Sequence, residues 1–371
     1  MSERPRKPQE DERIEQLLDE WREDNTQLPI TADPVKWEKK QFKRLIWNTR
    51  FSLVRSVAIA ALSLYFLYML YLTIATIIYM ESGKGEQFVR YAQTLVETHE
   101  TGLLIDRLTQ PKAELNGLLT QKTVLKAYWQ VGDWQAVAGE VEVKKWLFGD
   151  VTYTLHMNER YLNEQMEYFF NLPPDPLQPE NETAPDKTVE KWTDPGWERL
   201  AKMEDGYVGQ LGFSTAKAMT PAELFQMLQK YKVRLLGMPI YAGELRTEAL
   251  QSMPHSSSTS TIHVASLNLR PAVEYDGRYS KMFMNWIGNA EQLEKSQSML
   301  IRDLEWLDKE GSYADKNWDL ARLDFIRQHG VMVYGAVVTG PIRELERLKE
   351  EPLFGQFQFG AVEPWNWSDG E

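Results

Sequence analysis

Twenty-five consecutive residues, Ser56 to Met80, carry no charge. An α-helix rises about 1.5 Å per residue, so roughly 20 apolar residues cross a hydrocarbon core. The run is therefore read as a transmembrane helix with length to spare for tilt. A secretory signal has a shorter apolar core near the extreme N-terminus, whereas 55 mostly polar residues precede this one. Later apolar stretches, such as Val331 to Val338, are too short to span. A single crossing is expected.

The flanks give an orientation. Residues 36–55 hold Lys36, Lys39, Lys40, Lys43, Arg44, Arg50 and Arg55 against Glu38 alone, while residues 81–90 hold only Lys84 and Arg90 among basic side chains. Lys and Arg close to a span mark its cytoplasmic side, so the N-terminus is expected in the cytoplasm and residues 81–371 outside the cell membrane. The seven basic side chains, with Trp37, Phe42 and Trp47 among them, are suited to membrane lipids with anionic headgroups. The formal charge of the chain is −12, yet residues 1–55 hold 12 basic and 11 acidic side chains. The acidic excess thus belongs to the outer region, which argues against a direct nucleic-acid binder.

In the tail, Ile14, Leu17, Leu18 and Trp21 fall at i, i+3, i+4 and i+7, one stripe of a helix over roughly Glu10 to Asp24. Leu28-Pro29-Ile30 then stops the helix and adds two apolar anchors, Leu28 and Ile30. A short isolated helix is marginal in water, so the stripe either folds against a protein partner or stays solvated.

The outer region is expected to be α+β in two parts, residues 81–171 and 197–371, joined by a Pro-rich linker at 172–196. In the first part, Gly85 to Val96 reads as a helix with Phe88, Tyr91, Ala92 and Leu95 on one face, and strands are read at Val124–Val131, Trp134–Val143 and Thr152–His156. Gly132-Asp133 is the turn between the first two. Glu140 and Glu142 alternate with Val141 and Val143, which makes them a strand's outer face rather than a catalytic pair. The second part reads strand (Tyr207–Phe213), helix (Pro221–Lys230), strand (Val233–Tyr241), and again strand (Val331–Thr339), helix (Ile342–Lys349), strand (Phe357–Val362). Two such βαβ units imply a ferredoxin-like arrangement, with helices near 289–309 and 316–329 between them and a Ser/Thr-rich loop at Ser256–Thr261.

Signatures of catalysis are missing. There is no cysteine, hence no disulfide, thiolate nucleophile or cysteine-bound zinc. The five histidines are scattered, and neither HExxH, GxSxG nor a phosphate loop occurs. Neither an enzyme nor a cofactor or metal site is expected.

Three stretches together carry a resemblance: WEKKQFKRLIWNTRFSLVRS through YMESGKGEQFVRYAQTLVETHETG, GYVGQLGFSTAKAMTPAELFQMLQKYKVRLLGMPIYAG, and VYGAVVTGPIRELERLKEEPLFG. In that order and with this topology the chain resembles the Firmicutes membrane-bound anti-sigma factors that join a sigma-factor-regulator N-terminal region to an anti-sigma C-terminal domain. The resemblance implies a regulator that holds an extracytoplasmic-function sigma factor at the inner membrane face, with an outer domain that receives envelope stress or docks an accessory membrane protein. It supplies no motif for the tail. Ile14, Leu17, Leu18, Trp21, Leu28 and Ile30 are sigma-binding candidates from spacing alone. The competing expectation is an envelope adaptor or cell-wall assembly protein that works through its outer domain.

Overall fold

The uncharged run lies inside one continuous helix, α1 (Pro34–Glu81). The computed structural model describes residue 19 and residues 34–106, 111–146, 148–158, 168–177, 196–203, 205–246, 256–258, 261–263, 265–276, 279–283 and 286–368. Two units divide the chain, Met1–Ile74 and Ala75–Glu371.

In the first unit the large apolar side chains of α1 point outward, Phe51, Leu53, Leu64 and Phe66 among them. Trp47 stacks on Phe51 one turn later, with ring centroids 6.3 Å apart. The stretch Ile46–Glu81 has 36 residues and a mean hydropathy of 2.0 in its most apolar window, long and apolar enough to cross a membrane. A helix satisfies its own backbone polar groups, which lipid cannot do. Thr73 follows the same rule, its hydroxyl donating to the Met69 carbonyl at 2.9 Å.

The second unit is α+β. It opens with the last turns of α1 and a break at Ser82-Gly83, where Gly83 takes a left-handed conformation (φ 68°) that glycine adopts without a Cβ penalty. The next helix, α2 (Lys84–His99), buries Phe88, Tyr91, Ala92 and Leu95 on one face, as their spacing predicts. An antiparallel sheet follows, made of β1 (Leu103–Ile105), β2 (Glu114–Leu115), β3 (Gln121–Val131), β4 (Trp134–Lys145) and β5 (Val151–Met157). Its order is β1-β3-β4-β5, with β2 also on β3. Gly132 (φ 62°) and Asp133 close the two-residue turn between Val131 and Trp134. Val141 and Val143 face inward, Glu140 is exposed, and Glu142 pairs with Lys122 at 3.0 Å and with Lys144.

The second sheet begins after α3 (Gly196–Ala201). It draws on β6 (Tyr207–Met219), α4 (Pro221–Leu228) and β7 (Arg234–Tyr241), then β10 (Leu267–Leu269), and finally β13 (Met332–Pro341), α7 (Ile342–Arg347) and β14 (Phe354–Pro364). Two short ladders precede and follow β10: β8 (Ser256–Ser258) with β9 (Thr261–His263), and β11 (Val273–Asp276) with β12 (Tyr279–Phe283). Helices α5 (Ala290–Glu310) and α6 (Lys316–His329) lie between β12 and β13 in sequence. Strand order is β10-β7-β13-β6-β14. Both β6 and β7 run antiparallel to β13, which separates them, so they run parallel to each other. Thr220 and Glu223 form a reciprocal capping box at the start of α4, with Pro221 in its first turn, and Leu224 and Leu228 enter the core.

Several expectations change. Ser256–Thr261, read as a loop, contributes β8 and the first residue of β9 to the β8/β9 ladder; serine and threonine hydroxyls masked a β-capable run. Strand β6 extends six residues beyond Phe213, and β14 starts at Phe354 rather than Phe357. The helix expected to reach Lys349 is α-helical to Arg347 and tightens into a 3-10 turn over Leu348–Glu350. Strands β1, β2, β10, β11 and β12 are too short, at two to five residues each, to show a period. Within residues 172–177, the start of the expected linker, Leu172 and Leu177 pack against a buried cluster that includes Phe170, Tyr241 and Tyr334.

Residues 168–171 cross one face of the second sheet. Tyr168 lays its ring on Gly212 and Gly360 and donates to Gln210 at 2.8 Å. Phe169 N–H donates to Gln358 at 2.9 Å, and Asn171 N–H to the Ser214 hydroxyl at 2.9 Å. A Cβ at Gly212 would overlap the Tyr168 ring. Gly212→Ala is therefore expected to destabilise the second unit by about 2 kcal/mol through overpacking, measured by urea unfolding of the full chain in detergent micelles. An unchanged midpoint would mean that the crossing segment is not held there.

Candidate functional site

The tail anchors Ile14, Leu17, Leu18, Trp21, Leu28 and Ile30 all lie outside the described residues. Lys36, Lys39, Lys40, Lys43, Arg44, Arg50 and Arg55 all fall on α1, ahead of or at the edge of its uncharged run. Of these, Lys43, Arg50 and Arg55 have described side chains, and all three are exposed. A helix thus carries the basic segment and the apolar run as one continuous rod.

The second unit holds an unusual concentration of buried charge where the last turn of α2 meets the rest of the fold. His99 is placed with Nδ1 at 2.8 Å from the Leu95 carbonyl and Nε2 at 2.9 Å from Asp319 on α6. Tyr313 donates to the same Asp319 oxygen at 2.7 Å, and Arg322 to the other at 3.0 Å. Arg322 also reaches the Ala265 carbonyl and faces Glu244 at 3.5 Å, and the Glu244 carboxylate accepts from Ala242 N–H at 2.8 Å. Two residues earlier on α2, Glu97 accepts from Ile105 N–H at 3.1 Å and faces Arg270 at 3.4 Å, while Arg270 donates to Asp303 on α5 at 2.7 Å. Asn268 on β10 donates to the Glu97 carbonyl at 3.0 Å. These bonds tie α2, the helix that follows α1, to β10, α5 and α6.

The protonation state of His99 follows from its partners. Both ring nitrogens face acceptors, a carbonyl and a carboxylate, and an imidazole supplies two N–H donors only as the cation. Burial works against that charge, but the Asp319 carboxylate and the Leu95 carbonyl outweigh it and hold the His99 pKa above its ordinary value. Burial likewise disfavours the Asp319 anion, yet His99, Arg322 and Tyr313 hold its pKa below the usual carboxylate range. For Glu244 burial prevails over Arg322 and pushes the carboxyl up. No chemistry on a substrate follows from this: the cluster is fully packed, with Asp319 and Arg322 side chains only 3% and 1% exposed. Among the described residues no group of three or more His, Asp or Glu side chains is placed to hold a metal ion.

Counting histidines for metal spacing missed this cluster. A signal was present in α2, where His99 continues the stripe of Phe88, Ala92 and Leu95 at steps of three and four residues, so a titratable group sits on the buried face. The partners on α5, α6 and β10 are more than 160 residues away in sequence, and nothing local marks them.

A raised histidine pKa stabilises the fold fully below the unfolded value of 6.5 and loses that contribution as pH rises through the folded value. The lowered Asp319 acts at the other end, its contribution disappearing as pH falls through its folded value. The unfolding midpoint is expected to fall on the alkaline side of 6.5. His99→Phe should cost about 3 kcal/mol at pH 6 by leaving Asp319 short of a buried partner, and should flatten the alkaline slope. A variant as stable as the parent, with the slope intact, would remove His99 from this account.

Comparison with known proteins follows the same division of the chain. Residues 200–361, which hold the second sheet with α5 and α6, match the family model described as sigma factor regulator C-terminal. A relative from Bacillus subtilis (strain 168) described as probable anti-sigma-M factor YhdL is 23% identical over 361 residues, 95% of this chain and 90% of the relative. No solved structure gives a significant match. The chain is thus similar to the sigma factor regulator C-terminal family over residues 200–361 and to a probable anti-sigma factor along most of its length.

Proposed function

We propose that the chain is a membrane-anchored anti-sigma factor that sequesters an extracytoplasmic-function sigma factor through its N-terminal tail. The observation that carries this reading is the similarity to a probable anti-sigma factor along 95% of the chain. The helix fits a single-pass protein, and the seven basic side chains before it favour a cytoplasmic N-terminus. The tail then faces the compartment where sigma factors meet RNA polymerase. Its acidic character, nine Asp or Glu against five Lys or Arg over residues 1–24, suits a basic protein surface. Binding there depletes free sigma factor and confines it near the membrane.

In this reading Ile14, Leu17, Leu18 and Trp21 enter an apolar groove on the sigma factor, with Leu28 and Ile30 beside it, and Lys36 through Arg55 rest on anionic headgroups. The region after the span is the outer sensory part, with envelope stress as its input. Within it, β6-α4-β7 and β13-α7-β14 are read as the split βαβ pair of a ferredoxin-like unit, supported by the order β7-β13-β6-β14.

A peptide covering residues 1–50 is expected to bind one extracytoplasmic-function sigma factor of the source genome, and the double variant Leu17→Asp, Trp21→Asp to lose about 100-fold in affinity, as the loss of two central anchors implies. Absence of binding to every such sigma factor would move the function to the second unit and favour the adaptor reading.

A further inference from the structure

Two turns of the first sheet project apolar side chains into solvent at one end. The turn between β2 and β3 is closed by Asn116 N–H to the Thr120 carbonyl and by Leu119 N–H to the Asn116 carbonyl. Leu119 sits there at φ 55°, a left-handed conformation that costs a non-glycine residue energy, and its neighbour Leu118 is 74% exposed. The turn between β4 and β5 is closed by Gly149 N–H to the Trp146 carbonyl, and its base is pinned by Val151 N–H to the Ser312 carbonyl. Trp146 is 56% exposed and Phe148 98%.

Register brings the two turns to the same end. Gln121, three residues after Leu118, pairs with Lys145, three residues before Phe148. That end also holds the last turn of α1, which belongs to the second unit: the Tyr79 hydroxyl donates to Gln121 at 3.3 Å, and its ring lies against Gly85. Glu310, at the end of α5, accepts from Gln87 in the first turns of α2. The exposed side chains are therefore neighbours of the last turns of α1, and Lys144 and Lys145 directly precede Trp146.

We propose that these turns form an interfacial foot, with Leu118, Trp146 and Phe148 seated in the headgroup–acyl boundary of the phospholipid bilayer that α1 crosses. The proposal rests on the membrane-spanning reading of α1. Three features support lipid as the occupant. The patch is continuous with the end of an apolar helix of span length. Its makeup of Trp, Phe and Leu beside lysines is that of an interfacial anchor, in which rings take the acyl boundary and ammonium groups reach the headgroups. Finally, exposed aromatics at the opposite end of the same strand, where Trp134 is 55% exposed, provide an internal comparison without the neighbouring helix. Such a foot fixes the tilt of the second unit on the membrane, so that a change in its seating would be felt at α1.

The absence of cysteine makes a direct test clean. Full-length chain carrying one labelled cysteine at Leu118, Phe148, Trp134 or Phe66 is reconstituted into phosphatidylglycerol–phosphatidylethanolamine vesicles. Collision with a lipid-soluble quencher is then compared with collision with a water-soluble one. The label at Phe148→Cys is expected to favour the lipid quencher about tenfold over the label at Trp134→Cys, with Leu118→Cys intermediate. Equal, water-dominated quenching at 148 and 134 overturns the foot. So does protection at 148 from both quenchers, which would mean a protein contact. Phe66→Cys separates the two layers of the argument, because a water-accessible label there would overturn the span itself.

Discussion

A helix that presents Phe51, Leu53, Leu64 and Phe66 outward is long and apolar enough to cross a membrane, and lipid is the solvent that fits it. A single charged side chain at the centre of such a span costs about 3 kcal/mol on insertion scales, which fits a 25-residue run without one. The constraint separates a polar tail from a folded unit. In sequence, α1 is the segment that joins them. The tail is short and acidic, the helix starts with a basic segment, and the folded unit carries the acidic excess.

The buried cluster of His99, Asp319, Arg322 and Glu244, with Glu97, Arg270 and Asp303, holds α2 against the rest of the second unit. Buried ion pairs contribute little net stability compared with apolar packing, but breaking one partner is costly. Their effect is to make the docking of α2 specific: the helix that continues from Gly83 fits only where a carboxylate meets His99 and an arginine meets Glu97. The residues that receive α2 lie on β10, α5 and α6, within the stretch that matches the sigma factor regulator C-terminal family. The stretch similar to that family is thereby joined to the helix that follows α1.

Elements with a long period were readable in the sequence. The apolar run, the α2 stripe, the Gly132-Asp133 hairpin and the capped helix after Thr220 all follow from local rules of spacing and turn chemistry. Strands of two to five residues were not, because two or three alternations cannot be told from chance. Nor was the Asp319 partner of His99, since tertiary packing brings the two together across 220 residues. Phe148 reads as an ordinary apolar residue in the sequence. Only its 98% exposure beside the base of a span gives it meaning.

The central claim is that the tail holds a sigma factor at the membrane. Its most direct test is the distribution of extracytoplasmic-function sigma factors between membrane and soluble fractions of source cells that make either the full chain or a chain lacking residues 2–30. One sigma factor should sediment with the membrane in the first case and become soluble in the second, with the shortened chain still in the membrane. If no sigma factor sediments with the full chain, or one sediments equally with both, the claim is contradicted.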